Sequence, residues 1–588
     1  MRNINAVFPQ WEYDRLRAVQ ANWVADQFRK GLEPGDSQKL DKFALRPNPR
    51  THDEFHQVAN TDTAVRAYLA RKTLSKMIAD QELRKAGVTS ALGFNFYDLR
   101  APAYLLYPVN TPMRNQLPRE GPVNAGTGIM ANWKASRSPG IQPFSVPEGQ
   151  RASKATPDEI DYAGKYTEGG VERGVTFTAQ FAGEGYTDVL ADEHLRGLHE
   201  LWLGEEGTIW MGNGGSGSVG VNGFALTQAP TPTLAATAAA AGTFTTGQYI
   251  SVAVVLITGM GYPANAQYGY GVTHSVTAGL TPTYRVTGGD GGSYPMPGGI
   301  SAISALSATQ AATTTSGNAI VATLSAAQMA AKKGAFAYAW FVDVEASNIQ
   351  SLANAKLYAI TTVPTCTITA SPSGNAQPAT SLGLDTDYSA NPLEFTGLIP
   401  MVAATPGAVW TDLRGASLSS SGHGAVDQVE TILENNFAVN QCGYSDIWGS
   451  PDAIFNLSKA ILASGSATTG FQFMTTRDSQ NNILGGYVVS GYVSRYAVNS
   501  PTGANVIPLR MHPMIPPGTL YFDIATNPYP HSRLGNPRAM LVQRDYYGIE
   551  WPVTTREWTW GTYVHEVLAH RLPWIPAVLA GIGAYTGA

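Results

Sequence analysis

The sequence predicts an α+β protein whose middle is interrupted by an all-β sandwich. Three observations carry that expectation. Apolar residues recur with helical period on both sides of the middle, in "TDTAVRAYLARKTLSKMIADQELRKAG" and "SPDAIFNLSKAILASG". Strand-like runs such as "GANVIPLRMHP" and "GTLYFDIA" alternate with those helices. After Asn213 the composition shifts abruptly, and about 226–372 is rich in Ala, Thr, Gly and Ser with only a handful of charges.

The whole chain sets bounds on function. Its 588 residues suffice for several cores, and 61 Gly with 37 Pro imply many turns and extended segments. A net charge of −5 with 14% charged residues does not mark a nucleic-acid binder by bulk electrostatics. Cys366 and Cys442 lie too far apart in sequence to form a ligand cluster and exclude a disulfide framework. The start "MRNINAVFPQWEYDRLR" lacks the apolar core of a signal peptide. The end "LPWIPAVLAGIGAYTGA" is apolar, but Pro573 and Pro576 and its shortness favour a buried tail or subunit contact over a membrane span.

The N-terminal part is basic, with about 15 basic against 11 acidic side chains in residues 1–90. Its amphipathic helix ends at Gly87, and Thr51 with Glu54 forms a capping-box pattern upstream. From 105 to 180 the chain reads as strand pieces broken by Pro and Gly. Such a ribbon buries little apolar surface within one subunit, so a neighbouring copy is expected to cover it. "GGVERGVTFTAQFAGEGYTDVLA" alternates like a strand, and "DEHLRGLHELWLGEEGTIWMGNGG" reads as one long helix. Gly197, Gly204 and Gly207 lower that helix's propensity and imply reliance on packing. Within 226–372, runs such as "GQYISVAVVLITGMGY" and "GAFAYAWFVDVEAS" suggest a sandwich of immunoglobulin or fibronectin type. Beyond it, "NPLEFTGLIPMV" and "GAVWTDLRGASLS" read as strands. "GAVDQVETILENNFAVN" reads as a helix, and Ser450 and Pro451 start the next one.

Four patterns invite a chemical reading. His565, Glu566 and His570 imitate a zinc-protease helix, yet histidines five apart diverge by roughly 140° on a helix and face opposite sides of a strand. His52 and His56 have ligand spacing around Asp53, but no third ligand is near, and a solvated first helical turn is the simpler reading. Gly212, Gly214 and Gly217 match a dinucleotide fingerprint that requires a preceding strand; here a helix precedes, so they read as a helix cap and linker. Glu205 and Glu206 are adjacent rather than facing, which favours a solvated helix edge over a general acid and base. No catalytic, metal or cofactor site is expected.

The order "TPMRNQLPREG…ANWKA", "GGVERGVTFTAQFAGEGYTDVLA", "EEGTIWMGN", "IWGSPDAIFNLSKAI" and "MIPPGTLYFD" resembles the major capsid protein of tailed bacteriophages, the Hong Kong 97-type fold. The resemblance covers most of the chain outside about 226–372. It implies an N-terminal arm over 1–104, then an extended loop and peripheral-domain spine helix over 105–225, with the loop at about 115–180 reaching over a neighbour. The inserted sandwich at 226–372 would decorate the outer surface. An axial domain would span 373–490, and peripheral-domain strands with a C-terminal tail 491–588. Some relatives crosslink through a lysine in the extended loop, the region of Lys134, Lys154 and Lys165.

By the same resemblance the chain is expected to build hexamers and pentamers of an icosahedral head in the virion, assembled in a bacterial cytoplasm. No charged coiled-coil segment precedes the arm, so a separate scaffolding protein is expected, with a portal and decoration proteins as further partners. Packaged double-stranded DNA would be held non-specifically, through arm residues such as Arg66, Arg71 and Lys72. No membrane partner is expected. Candidate inter-subunit contacts are Arg119, Trp133, Lys134, Lys154, Lys165, Tyr166, Trp558 and Trp560. The competing readings are a virion adhesin gripping host sugars with the sandwich, a nanocompartment shell protein, and a metalloenzyme using His52 and His56.

Overall fold

The computed structural model describes residues 111–584, except 122–127, 139–144, 155, 157, 184–187, 216–222, 240, 266–278, 288–292, 312–317, 423, 464–488, 497–505 and 530–534. The chain divides into two units, Met1–Arg100 and Ala101–Ala588, and the described residues belong to the second. The expected arm, its amphipathic helix and the His52–His56 pair lie outside the described residues.

The segment that imitates a zinc helix is a strand. Glu557–His570 is rich in aromatic and β-branched residues, which suit a pleated surface. It pairs antiparallel with Arg538–Glu550 on one side and Thr167–Thr176 on the other, while Arg119–Glu120 adds a parallel edge strand. His565 and His570 diverge as strand geometry requires. His565 meets Tyr547 and Gln543, whereas the buried His570 places Nε2 3.1 Å from the Thr396 carbonyl.

The long helix Val189–Met211 packs on this sheet. Asp188 caps it by accepting the Ala191 N–H at 3.1 Å. Gly197 has a packing reason to be glycine, since a Cβ there would sit 3.1 Å from Arg173 Cγ on the adjacent strand. The run that precedes the helix, read as all strand, instead ends its strand at Thr176 and turns into the short helix Phe177–Gly183.

A second, six-stranded sheet has the order Val409–Asp412, Ala577–Ala580, Leu520–Asp523, Asp446–Gly449, Val506–Met511, Gly491–Val493. Ala577–Ala580, Leu520–Asp523 and Asp446–Gly449 are buried at every position, which explains why they read as short apolar runs without alternation. The C-terminal apolar stretch is thus an interior strand. The helices Leu398–Ala404, Asp427–Asn440 and Pro451–Ala463 place Leu398, Ile399, Val429, Ile432, Leu433, Ile454 and Leu457 in the cluster shared with this sheet. "LIPMVAA", expected as strand, forms the first of those helices because Pro400 sits in its first turn, where no intrahelical N–H is required. The boundary expected at 490 falls inside the sheet, to which residues after 490 supply four of six strands. The chain leaves this sheet after Asp523, builds two long strands of the other, and returns at Ala577.

Between these parts lie two further sheets on a shared core. One has the order Thr365–Ile368, Ala319–Thr323, Thr233–Thr237; the other Lys356–Thr361, Ala335–Glu345, Tyr249–Thr258, Gln310–Ala311. Ile250, Val252, Val254 and Leu256, with Tyr338, Trp340 and Val342, face the smaller sheet. The alternate residues Ala253, Val255, Ile257, Ala337, Ala339 and Phe341 join the main core instead, in one cluster with Trp210, Met211 and Phe395. Both faces of the two central strands are therefore buried, and the insert has no solvated outer face there. Asn213, fully buried, ties its two ends together. Its Nδ2 donates to the carbonyls of Phe224 and Ser389, both at 2.8 Å, and its own carbonyl accepts the Asn391 N–H at 2.8 Å. The chain stays bound to the insert as far as 391, past the expected end at 372.

Candidate functional site

The segments that carried the resemblance converge in space. Trp210, near the end of the long helix, is fully buried and meets Trp448, His512 and Tyr521 at ring-centroid distances of 5.6, 5.3 and 5.6 Å. "EEGTIWMGN", "IWGSPDAIF" and "MIPPGTLYFD" thus meet at one indole, where the long helix packs against the six-stranded sheet.

An ionic junction continues from that indole. Glu206 Oε1 accepts the Trp210 indole N–H at 3.1 Å and the Met113 N–H at 3.0 Å, and Oε2 accepts the Arg114 N–H at 2.7 Å. His512 Nε2 lies 2.9 Å from Glu206 Oε1, and its Nδ1 accepts the Met514 N–H at 3.2 Å. The neighbouring Glu205 accepts from Arg114 Nε at 2.8 Å, from Arg119 Nη1 at 2.6 Å, and from the Tyr546 hydroxyl. Arg119 also reaches Glu566 at 2.7 Å and the exposed Asp545 at 2.9 Å. Arg114 lies over the Trp202 ring at 4.6 Å and Arg119 over the Tyr546 ring at 4.7 Å.

These contacts overturn the reading of Glu205 and Glu206 as a solvated helix edge: their residue exposures are 5% and 0%. The physical reason is that "TPMRNQLPREG" brings two guanidiniums and two free backbone N–H groups onto that face. The sequence held a signal for it in Trp210, one helical turn beyond Glu206 and positioned to donate to it. Burial, with Glu205 beside it, raises the Glu566 carboxyl above its ordinary range. Burial also pushes the Tyr546 hydroxyl up. Arg119 is raised: burial opposes its charge, but Glu566 and Glu205 outweigh that effect.

The expected inter-subunit residues fall into two groups. Arg119 makes its ion pairs within its own chain. Trp133 is 8% exposed, stacks on Tyr162 with centroids 6.2 Å apart, and donates its indole N–H to the His570 carbonyl at 2.9 Å. Trp560 is 4% exposed and stacks on His194 with centroids 3.9 Å apart. Trp133 and Trp560 are thus buried within the subunit, Trp133 because the ribbon packs on the Glu557–His570 strand and Trp560 because that strand packs on the long helix, while Arg119 keeps 21% of its side chain exposed. Tyr166 is half-buried against the same core.

Lys134, Lys154, Lys165 and Trp558 remain on the surface. Lys134 lies 3.7 Å from Glu159 and 3.4 Å from Asp161, and Trp558 donates to Gln180 at 3.1 Å. The ribbon itself is the antiparallel pair Met130–Ser138 and Asp158–Lys165. Residues 145–154, between its strands, are exposed at every described position.

Among the described residues no group of three or more His, Cys, Asp or Glu is arranged to hold a metal ion, and no helix is long and apolar enough to cross a membrane. Cys366 and Cys442 are buried free thiols, pushed up by burial to about 12 and about 11, which keeps them protonated and poorly nucleophilic.

No family model and no curated protein matches the chain. Among solved structures, the capsid of a native GTA particle matches at 8% identity, covering 84% of this chain and 98% of the other, with a TM-score of 0.34. The capsid asymmetric unit of cyanophage A-1(L) matches at 10% identity over 84% and 99%, with a TM-score of 0.34. The encapsulin complex of Synechococcus elongatus PCC 7942 matches at 14% identity over 32% of this chain, with a TM-score of 0.20; the match spans 57% of the encapsulin chain.

Proposed function

We propose that this chain is a non-enzymatic structural subunit of a Hong Kong 97-type icosahedral shell, the head of a phage-like particle enclosing double-stranded DNA. The observation that carries the reading is the ribbon. One face of its paired strands is buried in its own subunit through Trp133, Ala135 and Tyr162, while Ile129 and Met130 at its start, Ile160 within it and Val146 between its strands are exposed at 75%, 40%, 39% and 41%. An extended two-stranded arm with uncovered apolar residues gains its remaining burial by lying on another surface, and a second copy of the chain supplies one without a further partner. Hexamers and pentamers, a scaffolding protein, a portal and decoration proteins belong to this reading, as does a place in the virion after assembly in a bacterial cytoplasm.

The insert, in this reading, is an immunoglobulin-like elaboration anchored in the subunit core and presented on the shell exterior. The burial of both faces of its central strands argues against an adhesin built around a free-standing sandwich. Electron microscopy of the purified chain, alone and with a candidate scaffolding protein, tests the proposal. Closed shells or capsomer rings support it; a chain that stays monomeric across pH, salt and concentration contradicts it.

A further inference from the structure

The junction around Arg119 carries more buried acid than base. Glu205, Glu206 and Glu566 are 5%, 0% and 3% exposed, and only two guanidiniums, Arg114 and Arg119, face them. Arg114 comes from the short helix Pro112–Gln116 and Arg119 from the strand Arg119–Glu120. Glu120 turns away to Arg571 at 2.5 Å. Arg538–Glu550 supplies Tyr546 and Asp545, the latter with 59% of its side chain exposed and so screened by water. On the Glu566 strand, His565 is engaged with Tyr547 and Gln543.

His512 does not balance the count: its Nδ1 accepts the Met514 N–H, and its Nε2, though 2.9 Å from Glu206 Oε1, makes no hydrogen bond there. Three ionised carboxylates against two guanidiniums would leave one uncompensated buried charge, which is strongly unfavourable. Glu205 and Glu566 share one guanidinium, Arg119 Nη1 lying 2.6 Å from the first and Nη2 2.7 Å from the second.

The geometry points to a proton latch: Glu566, which shares the Arg119 guanidinium with Glu205, retains an exchangeable proton, and its loss to water loosens the 111–120 segment from the long helix and the sheet. With the proton in place the cluster is neutral, and Arg119 joins both carboxylates. Without it, two like charges flank one guanidinium in a dry site, and solvent entry relieves the repulsion. The segment released leads directly into the ribbon, so the latch sets how firmly the ribbon's base is held. This inference concerns the folded subunit and stands whether or not the chain builds a shell.

The test uses the full chain at about pH 6.5 and about pH 9, on either side of the raised carboxyl. In the infrared difference between the wild type and Glu566→Gln, where Glu394 and Asp523 contribute equally to both chains, a protonated-carboxyl stretch is expected at the lower pH and none at the higher. Hydrogen exchange in 111–120, corrected for the intrinsic rate, is expected to rise at least tenfold across the same step in the wild type and not in Glu566→Gln. An unchanged alkaline rise in Glu566→Gln, or no such band in the difference, overturns the latch. Should Glu566→Gln fail to fold, Glu205→Gln serves: removing the rival carboxylate should weaken the wild-type band at the lower pH, and an unchanged band overturns the proposal.

Discussion

Trp210 meets Tyr521 edge to face, with ring planes 89° apart and centroids 5.6 Å apart. This contact joins the end of the long helix to the middle of the six-stranded sheet, and both residues are buried at 0% and 1% exposure. Removing the indole leaves a cavity bounded by Trp448, His512 and Tyr521. Trp210→Ala should cost about 3–5 kcal/mol of stability, measured by urea unfolding of the full chain. A loss within experimental error of zero would show that the helix and sheet do not depend on this contact.

Glu206 should matter through groups it leaves unpaired rather than through charge alone. Glu206→Ala strands the Met113 and Arg114 N–H groups and the Trp210 indole N–H, each at about 1–3 kcal/mol. The exposed Lys134–Glu159 pair is the control, and Glu159→Ala should change stability by about 0–1 kcal/mol. Equal effects of the two substitutions, read from the same unfolding curves, would contradict the buried junction.

Between about pH 4 and about pH 7, buried groups should pull stability in opposite directions. Burial pushes Glu394 up to about 7, so the folded state keeps a proton that the unfolded chain releases above its ordinary carboxyl range. That contribution is complete at low pH and is lost as pH rises toward 7, at up to about 1.4 kcal/mol per pH unit. Burial raises Asp523 in the same direction, to about 6. His570 runs the opposite way. Burial lowers it to about 4, with Arg538 adding to the effect, so its contribution is lost as pH falls from the ordinary imidazole range through 4. Glu394→Gln should remove a loss of melting temperature that accompanies rising pH toward 7, and His570→Gln a loss that accompanies falling pH toward 4. A pH profile unchanged in both variants would remove these residues from the account.

Much of this architecture was legible in the sequence, for reasons that differ by element. Val189–Met211 and Pro451–Ala463 announce themselves by apolar spacing, the second also by Ser450 and Pro451 at its start, whereas the cap at Asp188 emerges only in the structure. The fate of the acidic pair Glu205 and Glu206 was legible only in the nearby Trp210, because their other partners lie 86 or more residues away in sequence. Trp133 was misjudged for a related reason. A local segment full of Gly and Pro looks unable to bury a tryptophan, yet the Glu557–His570 strand folds in behind it. The run "YISVAVVLIT" reads as a strand of the sandwich, but nothing in it says that the main core covers its second face.

Deletions should separate fold from assembly. Joining Asn213 to Asn391 by a short linker in place of 214–390 is geometrically allowed, since the two are already hydrogen-bonded at 2.8 Å. It should nonetheless abolish cooperative unfolding, because Met211 and Phe395 lose the sheet that buries them in the main core. Shortening the exposed stretch 145–154 should leave the melting transition unchanged and abolish assembly. A 214–390 deletion that melts cooperatively at the wild-type temperature would show the insert to be dispensable.

The most direct test of the central claim is the mass of the full-length chain under assembly conditions, read by analytical ultracentrifugation alongside electron micrographs of the same sample. Closed particles or five- and six-fold rings in the wild type, lost when 145–154 is shortened while the melting transition is preserved, is the expected result. A chain of 62.6 kDa that sediments as a monomer under every condition, with its exposed ribbon residues uncovered, would contradict it.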